Sequence, residues 1–196
     1  FADAMLRAYE ITANPTFKDN VLETLNFILK EFHSENNFLT RAMKANDHEL
    51  YPNQVLNAFD SSFKSPAATF CNVLRRAELL LPDLNTPENF SESMETLIHQ
   101  ALKNPLNAGE ALRAFTYPNE VYKKINVPYT WVGNNKFLNF IPYFLSRFVL
   151  DYHKEDNDSW QICGKTECEL QGSGIDEFIK VLTPSEDPNI SPQENN

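Results

Sequence analysis

The stretch "INVPYTWVGNNKFLNFIPYFLSRFVL", Ile125 to Leu150, is where the pattern of the chain changes. Its first part, "INVPYTWVG", concentrates β-branched and aromatic residues and closes on Gly133, which reads as a strand. "NKFLNFIPYFLSRFVL", Asn135 to Leu150, then reads as a helix, and "SWQIC", Ser159 to Cys163, as a second strand. Strand, helix, strand is the order of a small α/β unit. Behind it, "GIDEFIKVL", Gly174 to Leu182, predicts a short terminal helix, and "TPSEDPNISPQENN", Thr183 to Asn196, is a Pro-rich polar tail that need not fold.

Upstream the spacing is helical. Phe1, Met5, Ala8, Tyr9 and Thr12 share one helical face, with no Ser, Thr, Asp or Asn ahead of them to cap the open N–H groups. A helix cut in its middle is expected to start this way. "NPT" at Asn14 to Thr16 ends it, and Phe17, Val21, Leu25, Ile28 and Phe32, flanked by Leu22 and Leu29, form the stripe of a second helix. Together they predict an αα-hairpin. From Ser34 to Lys64 the pattern dissolves into polar residues punctuated by Phe38, Tyr51, Phe59 and Phe63, too long a segment for a plain connector.

Helical spacing resumes in "SPAATFCNVLRRAELLLP", where Ser65 is a cap, Pro66 suits the first position, and Phe70, Leu74, Ala77 and Leu81 form the stripe before Pro82 stops it. "TPENFSESMETLIHQALK" repeats that order, with Thr86 as cap, Pro87 in the first turn, and Phe90, Met94, Leu97, Ile98 and Ala101 inward. A helix from Ala108 to Phe115 follows, with Asn107 and Glu110 at the spacing of a capping box.

Composition excludes several partners. Lys and Arg total 17 against 27 for Asp and Glu, and the net charge of −10, with no concentrated basic patch, repels nucleic acid and anionic membrane surfaces. The most apolar run, Phe137 to Leu150, is broken by Asn139, Pro142, Ser146 and Arg147, so it does not supply the roughly 20 apolar residues of a membrane span. No charged segment followed by an apolar one marks a secretory signal. The N-x-[ST] sequons at Asn89, Asn157 and Asn189 are what an Asn-rich chain contains by chance. Three cysteines, an odd number, suit a reducing compartment, and a cytoplasmic location is expected.

Chemistry-bearing residues are sparse. Cys163 and Cys168 are close in sequence and His153 is a conceivable third zinc ligand, but a structural site needs four, so no metal is expected. The same two cysteines are either a redox pair, since a short loop brings Cα atoms within disulfide range, or small half-buried residues on either side of a turn between strands. Cys71 lies beside an apolar stripe and reads as core. His33, His48, His99 and His153 are scattered. There is no G-x-S-x-G, and with 5 Gly in the chain, "GSG" at Gly172 to Gly174 reads as a turn and not as a phosphate cradle, so no cofactor is expected. Carboxylates remain: Asp47 and Glu49 beside His48, and Asp60, the best single candidate for catalysis.

Several fragments resemble one family. "MLRAYEITANPTFKDNVLETLNFILKEF" is similar to the "AYEATGDPRYLE" helical hairpin of thioredoxin-domain proteins related to spermatogenesis-associated protein 20 and their bacterial YyaL-like counterparts. "SENNFLT" falls where that family has "DEDGGFFDT", "FDSSFKSPAATFCNVLRRAELL" where it has a "PSGNS" segment, and "PYTWVG" where it has a "VVIVG" strand. The segment "SWQICGKTECELQGSGIDEFIKVL" resembles the family's closing "AYVCRNFTCQAPVTDPEEL", with the same cysteine spacing and a short helix behind it. The resemblance implies that Cys163 and Cys168 are a family tail feature. It also implies a mainly α fold: residues 1–117 as the last helical hairpins of an α/α toroid of six-hairpin glycosidase type, 118–182 as a small α/β appendage, and 183–196 as a disordered tail. The implied partners are the rest of a longer chain, namely a thioredoxin-like domain and the missing toroid hairpins, together with a carbohydrate-like small molecule.

This chain departs from the family at two places. "PSGNS" is replaced by Pro66, Ala67 and Ala68, and the paired Gly of "GGFF" by Asn36 and Asn37, which removes polar groups that would face a toroid cavity. Three roles stay open: a non-catalytic supporting portion that holds a carbohydrate-like ligand, part of a sugar-acting epimerase- or hydrolase-like enzyme using Asp60, or a thiol-redox protein using Cys163 and Cys168.

Overall fold

A computed structural model describes residues 1–32, 58–115, 123–145, 148–155, 157–164 and 167–183. Its helices are α1 (Ala2–Thr12), α2 (Pro15–Phe32), α3 (Pro66–Leu80), α4 (Phe90–Lys103), α5 (Gly109–Phe115), α6 (Asn135–Phe144) and α7 (Ile175–Leu182). Its strands are β1 (Lys123–Pro128), β2 (Phe148–His153), β3 (Ser159–Cys163) and β4 (Cys168–Ser173). The Asp47, His48 and Glu49 group, His33, "SENNFLT" and the tail from residue 184 lie outside the described residues.

The α1–α2 hairpin forms as its sequence predicts. Ala13 turns left-handed at φ 52° and returns its N–H to the Tyr9 carbonyl, while Asn14 Oδ1 accepts the Thr16 N–H at 3.1 Å to open α2 at Pro15. The buried stripe of α1 is Ala2, Leu6, Tyr9 and Glu10, one step round from the expected face, because Phe1 points outward and Glu10 is drawn in by arginines. In α3, Ser65 Oγ accepts the Ala68 N–H at 3.2 Å and Pro66 takes the first position, as expected. This helix is central: Phe70, Cys71, Leu74 and Ala77 are buried on one side and Arg75 and Arg76 on the other. Helix α4 begins at Phe90, not at Pro87, because a turn carries the Phe90 N–H back to the Pro87 carbonyl at 3.0 Å.

The sheet has the order β2-β1-β3-β4, with β1 parallel to β2 and the other neighbours antiparallel. Two of these strands correct the sequence reading. The helix expected from Asn135 to Leu150 stops at Phe144, and Phe148–His153 becomes β2; Cys168–Ser173 becomes β4. The expected first strand ends at Pro128, and Tyr129–Trp131 form a 3-10 turn. Alternation along β2 then assigns the faces: Leu150 joins Ile125, Val127, Trp160 and Ile162 under α6 and α7, whereas Val149 joins the core of α1 and α3. At Gly172 a Cβ would stand 2.5 Å from the Trp160 ring and 2.6 Å from Glu177 Oε2, so close packing of β4 on β3 requires glycine there.

Helices therefore lie on both sides of a mixed sheet. The expected partial α/α toroid is overturned: α1 and α3 seal the second face of the sheet through β2, and no ring of paired inner and outer helices forms among the described residues. The small α/β part of the expectation stands, built on a four-stranded sheet. No described helix is long and apolar enough to cross a membrane.

Candidate functional site

Parallel pairing of β1 and β2 delivers both carboxyl ends to one edge of the sheet, the edge at which open α/β sheets hold ligands. There the α1–α2 corner faces the residues that leave the strands. The result is an open cleft of about 620 Å³ lined from the helices by Tyr9, Ala13, Pro15 and Lys18 and from the sheet by Tyr129, Thr130, Asp151, Tyr152, Lys154 and Glu155.

Asp151 organises its floor. Oδ1 accepts from the Tyr9 hydroxyl, from Lys18 Nζ at 3.3 Å and from the Tyr152 N–H at 3.1 Å, and Lys124 Nζ stands 3.8 Å from Oδ2. Lys18 also sits 5.2 Å above the Tyr9 ring. The Tyr152 hydroxyl donates to the Glu10 carbonyl at 2.7 Å. Burial, followed by the bond to Asp151, pushes the Tyr9 hydroxyl far above the ordinary tyrosine value; burial, Glu10 and Asp151 do the same to Tyr152. Both phenols therefore stay protonated, as donors and not as bases. Tyr129 is different: its ring meets Tyr152 edge-on at 6.5 Å between centroids and is 48% exposed, leaving a free aromatic face at the mouth.

Asp60 is elsewhere, and it is occupied. Oδ1 accepts the Ser65 N–H at 2.6 Å and Oδ2 the Glu110 N–H at 3.0 Å, so one carboxylate closes the N-terminal ends of both α3 and α5. Its own N–H reaches the Asn107 carbonyl at 2.7 Å. This replaces the capping box expected of Asn107 and Glu110. The Glu110 carboxylate turns instead to Asn72 Nδ2 at 2.9 Å, Lys64 Nζ at 3.2 Å and Arg113. Burial alone would raise its pKa, but these donors, led by Arg113, hold it below the ordinary range. Asp60→Ala is expected to cost about 2 kcal/mol by leaving the Ser65 and Glu110 N–H groups at two helix starts without their acceptor. Urea unfolding is the check, and an unchanged midpoint would leave the carboxylate free for another task.

Cys163 and Cys168 are joined by a disulfide as the last pair of the β3–β4 ladder, on either side of the turn. Cys71 is a free, buried thiol in α3, as the sequence indicates, and burial pushes it up to about 12. His153 Nε2 lies 2.9 Å from the Ser159 carbonyl and so carries its proton there. Among the described residues no group of three or more His, Cys, Asp or Glu is arranged to hold a metal.

The cleft residues escaped the sequence reading because they come from three distant segments. The one local signal was "PYT", polar and aromatic residues directly behind a strand. Neither the protein-family models nor the curated proteins give a match to this chain.

Proposed function

We propose that this chain is a non-catalytic, supporting portion of a larger YyaL-like thioredoxin-domain protein, and that its cleft holds a neutral, carbohydrate-like small molecule. The observation that carries the reading is the composition of the cleft: one exposed aromatic face, Tyr129, beside both acceptors and donors in Asp151, Glu155, Thr130, Lys18 and Lys154. A sugar ring presents an apolar C–H face bordered by hydroxyls, which is the complement of that arrangement. A supporting role follows from how the carboxylates are used. Glycoside chemistry needs two carboxyl groups free to act across the scissile bond, whereas Asp60 closes two helices and Asp151 already accepts from Tyr9, Lys18 and the Tyr152 N–H.

The test is a thermal-shift screen with neutral mono- and disaccharides. A sugar present at ten times its Kd stabilises the native state by about 1.4 kcal/mol, which moves the Tm of a chain this size by about 3–6 °C. Tyr129→Ala is expected to remove that shift while leaving the unliganded Tm within about 2 °C, since a half-exposed ring carries little of the core. No shift with any sugar, or a shift that survives Tyr129→Ala, would sink the reading.

A further inference from the structure

The two sulfurs of the disulfide are not equivalent. Cys163 is 6% exposed at the end of β3, whereas Cys168 opens the edge strand β4 and is exposed to solvent. On the covered side, Asn126 of β1 directs Nδ2 at Cys163 Sγ across 3.8 Å, and Lys124, the register partner of Cys163, shares that face. The amide N–H favours negative charge on the Cys163 sulfur, while the Lys124 ammonium turns the other way, to Asp151 of β2.

We propose that Cys163–Cys168 is a thiol–disulfide exchange site for a low-molecular-weight monothiol, with Cys168 as the attacked sulfur and Cys163 as the leaving one. The incoming thiolate bonds to Cys168 Sγ as the Cys163–Cys168 bond breaks, and the electron pair departs on Cys163 as a thiolate facing Asn126. A second thiolate then attacks the mixed disulfide at the small thiol's sulfur. That step releases the oxidised small thiol and leaves Cys168 as a thiolate; the two protein thiolates take up the protons the two thiols gave up. Two thiols are oxidised to one disulfide and one protein disulfide is reduced to two thiols. Exchange rate depends on which sulfur is accessible and on how well the leaving sulfur bears charge, and both criteria select the same direction here. Cys71, buried and pushed up to about 12, takes no part.

The experiment treats the whole chain with millimolar glutathione, quenches with acid, alkylates, and locates the adduct by peptide mass spectrometry. The expected result is a glutathione adduct on Cys168 exceeding that on Cys163 by about tenfold or more, and formed about threefold more slowly in Asn126→Ala, which leaves a poorer leaving thiolate. With glutathione disulfide in place of the thiol, Cys163→Ser should accumulate the adduct on its exposed Cys168, one glutathione leaving as thiolate, while Cys168→Ser leaves a covered thiol unmodified; should either variant fail to fold, trapping in the unaltered chain decides by itself. An adduct mainly on Cys163, equal adducts on both, no adduct at all, or direct alkylation of both cysteines in the untreated native protein each overturns the proposal. So does reduction by dithiothreitol without any glutathione adduct.

Discussion

Phe178→Ala is expected to lower the unfolding free energy by about 3–5 kcal/mol, a large part of the total a domain possesses. Phe178 is the one buried residue of α7 and is fully covered. Its ring centroid lies 5.4 Å from that of Trp131, 5.6 Å from Trp160, 5.8 Å from Phe144 and 6.0 Å from Phe137, mostly edge to face. Truncation leaves a cavity among rings that cannot collapse into it, because Trp160 is already held against Gly172. It also removes what docks an eight-residue helix too short to persist alone. Two measurements separate these effects. Urea unfolding reports the global loss, and amide hydrogen exchange at Ile179 to Leu182 reports release of α7. A loss under about 1 kcal/mol with unchanged protection would mean the aromatic cluster does not anchor the terminal helix.

What the sequence disclosed and what it concealed divide along a physical line. Helices α2 and α3 were legible because an apolar stripe at 3.6-residue spacing, with Ser65 and Pro66 at one start, specifies a helix locally. Strand β2 was not, because "FVL" directly after an apolar helix continues its hydrophobicity, and a short apolar run is strand or helix according to its partner. That partner, β1, lies across a crossover. Strand β4 hid for the opposite reason: an exposed edge strand carries no inward-facing pattern, and only its end, within "GSG", carried a local signal, that of a turn. The toroid was implied by the family resemblance alone, and reading Phe148–Leu150 as helix removed the strand against which α1 and α3 pack and which contradicts it. Asp60 stood out as a carboxylate in an irregular segment, but its task is set by two N–H groups at residues 65 and 110, which only the folded chain brings to it. Tyr9, Lys18, Tyr129 and Asp151 meet for the same reason, through β1–β2 pairing and the α1–α2 turn.

Arg76→Met is expected to destabilise the protein by about 3–5 kcal/mol at neutral pH, because it leaves a buried carboxylate without its main counter-charge. Glu10 is wholly covered, and its oxygens accept from Arg76 Nη2 at 2.7 Å, Arg7 Nη1 at 3.0 Å and the Leu150 N–H at 3.3 Å. Arg76 Nη1 reaches Asp3 at 2.8 Å, and Arg7 Nη1 the Leu145 carbonyl at 2.9 Å, so the group binds α1 and α3 to β2 and to the C-terminal end of α6. Burial pushes the Glu10 carboxyl up, and Arg76 and then Arg7 pull it back. Removing Arg76 leaves burial less opposed, so the folded-state pKa rises further above the unfolded value. A carboxyl shifted in that direction binds its proton more tightly when folded, and stability falls as pH rises through the interval between the two values. The Arg76→Met deficit should accordingly be largest at neutral pH and shrink as the pH is lowered toward the unfolded value of about 4.3, where Glu10 is folded as a neutral acid. Urea midpoints at several pH values test this, and a deficit that does not change with pH would show that packing, not charge, is what Arg76 supplies. The variant carrying Glu10→Met as well isolates the remaining possibility: with both charges gone and the volume kept, most of the lost stability should return. If it does not, the network's contribution lies in the bonds of Glu10 to Arg7 and Leu150.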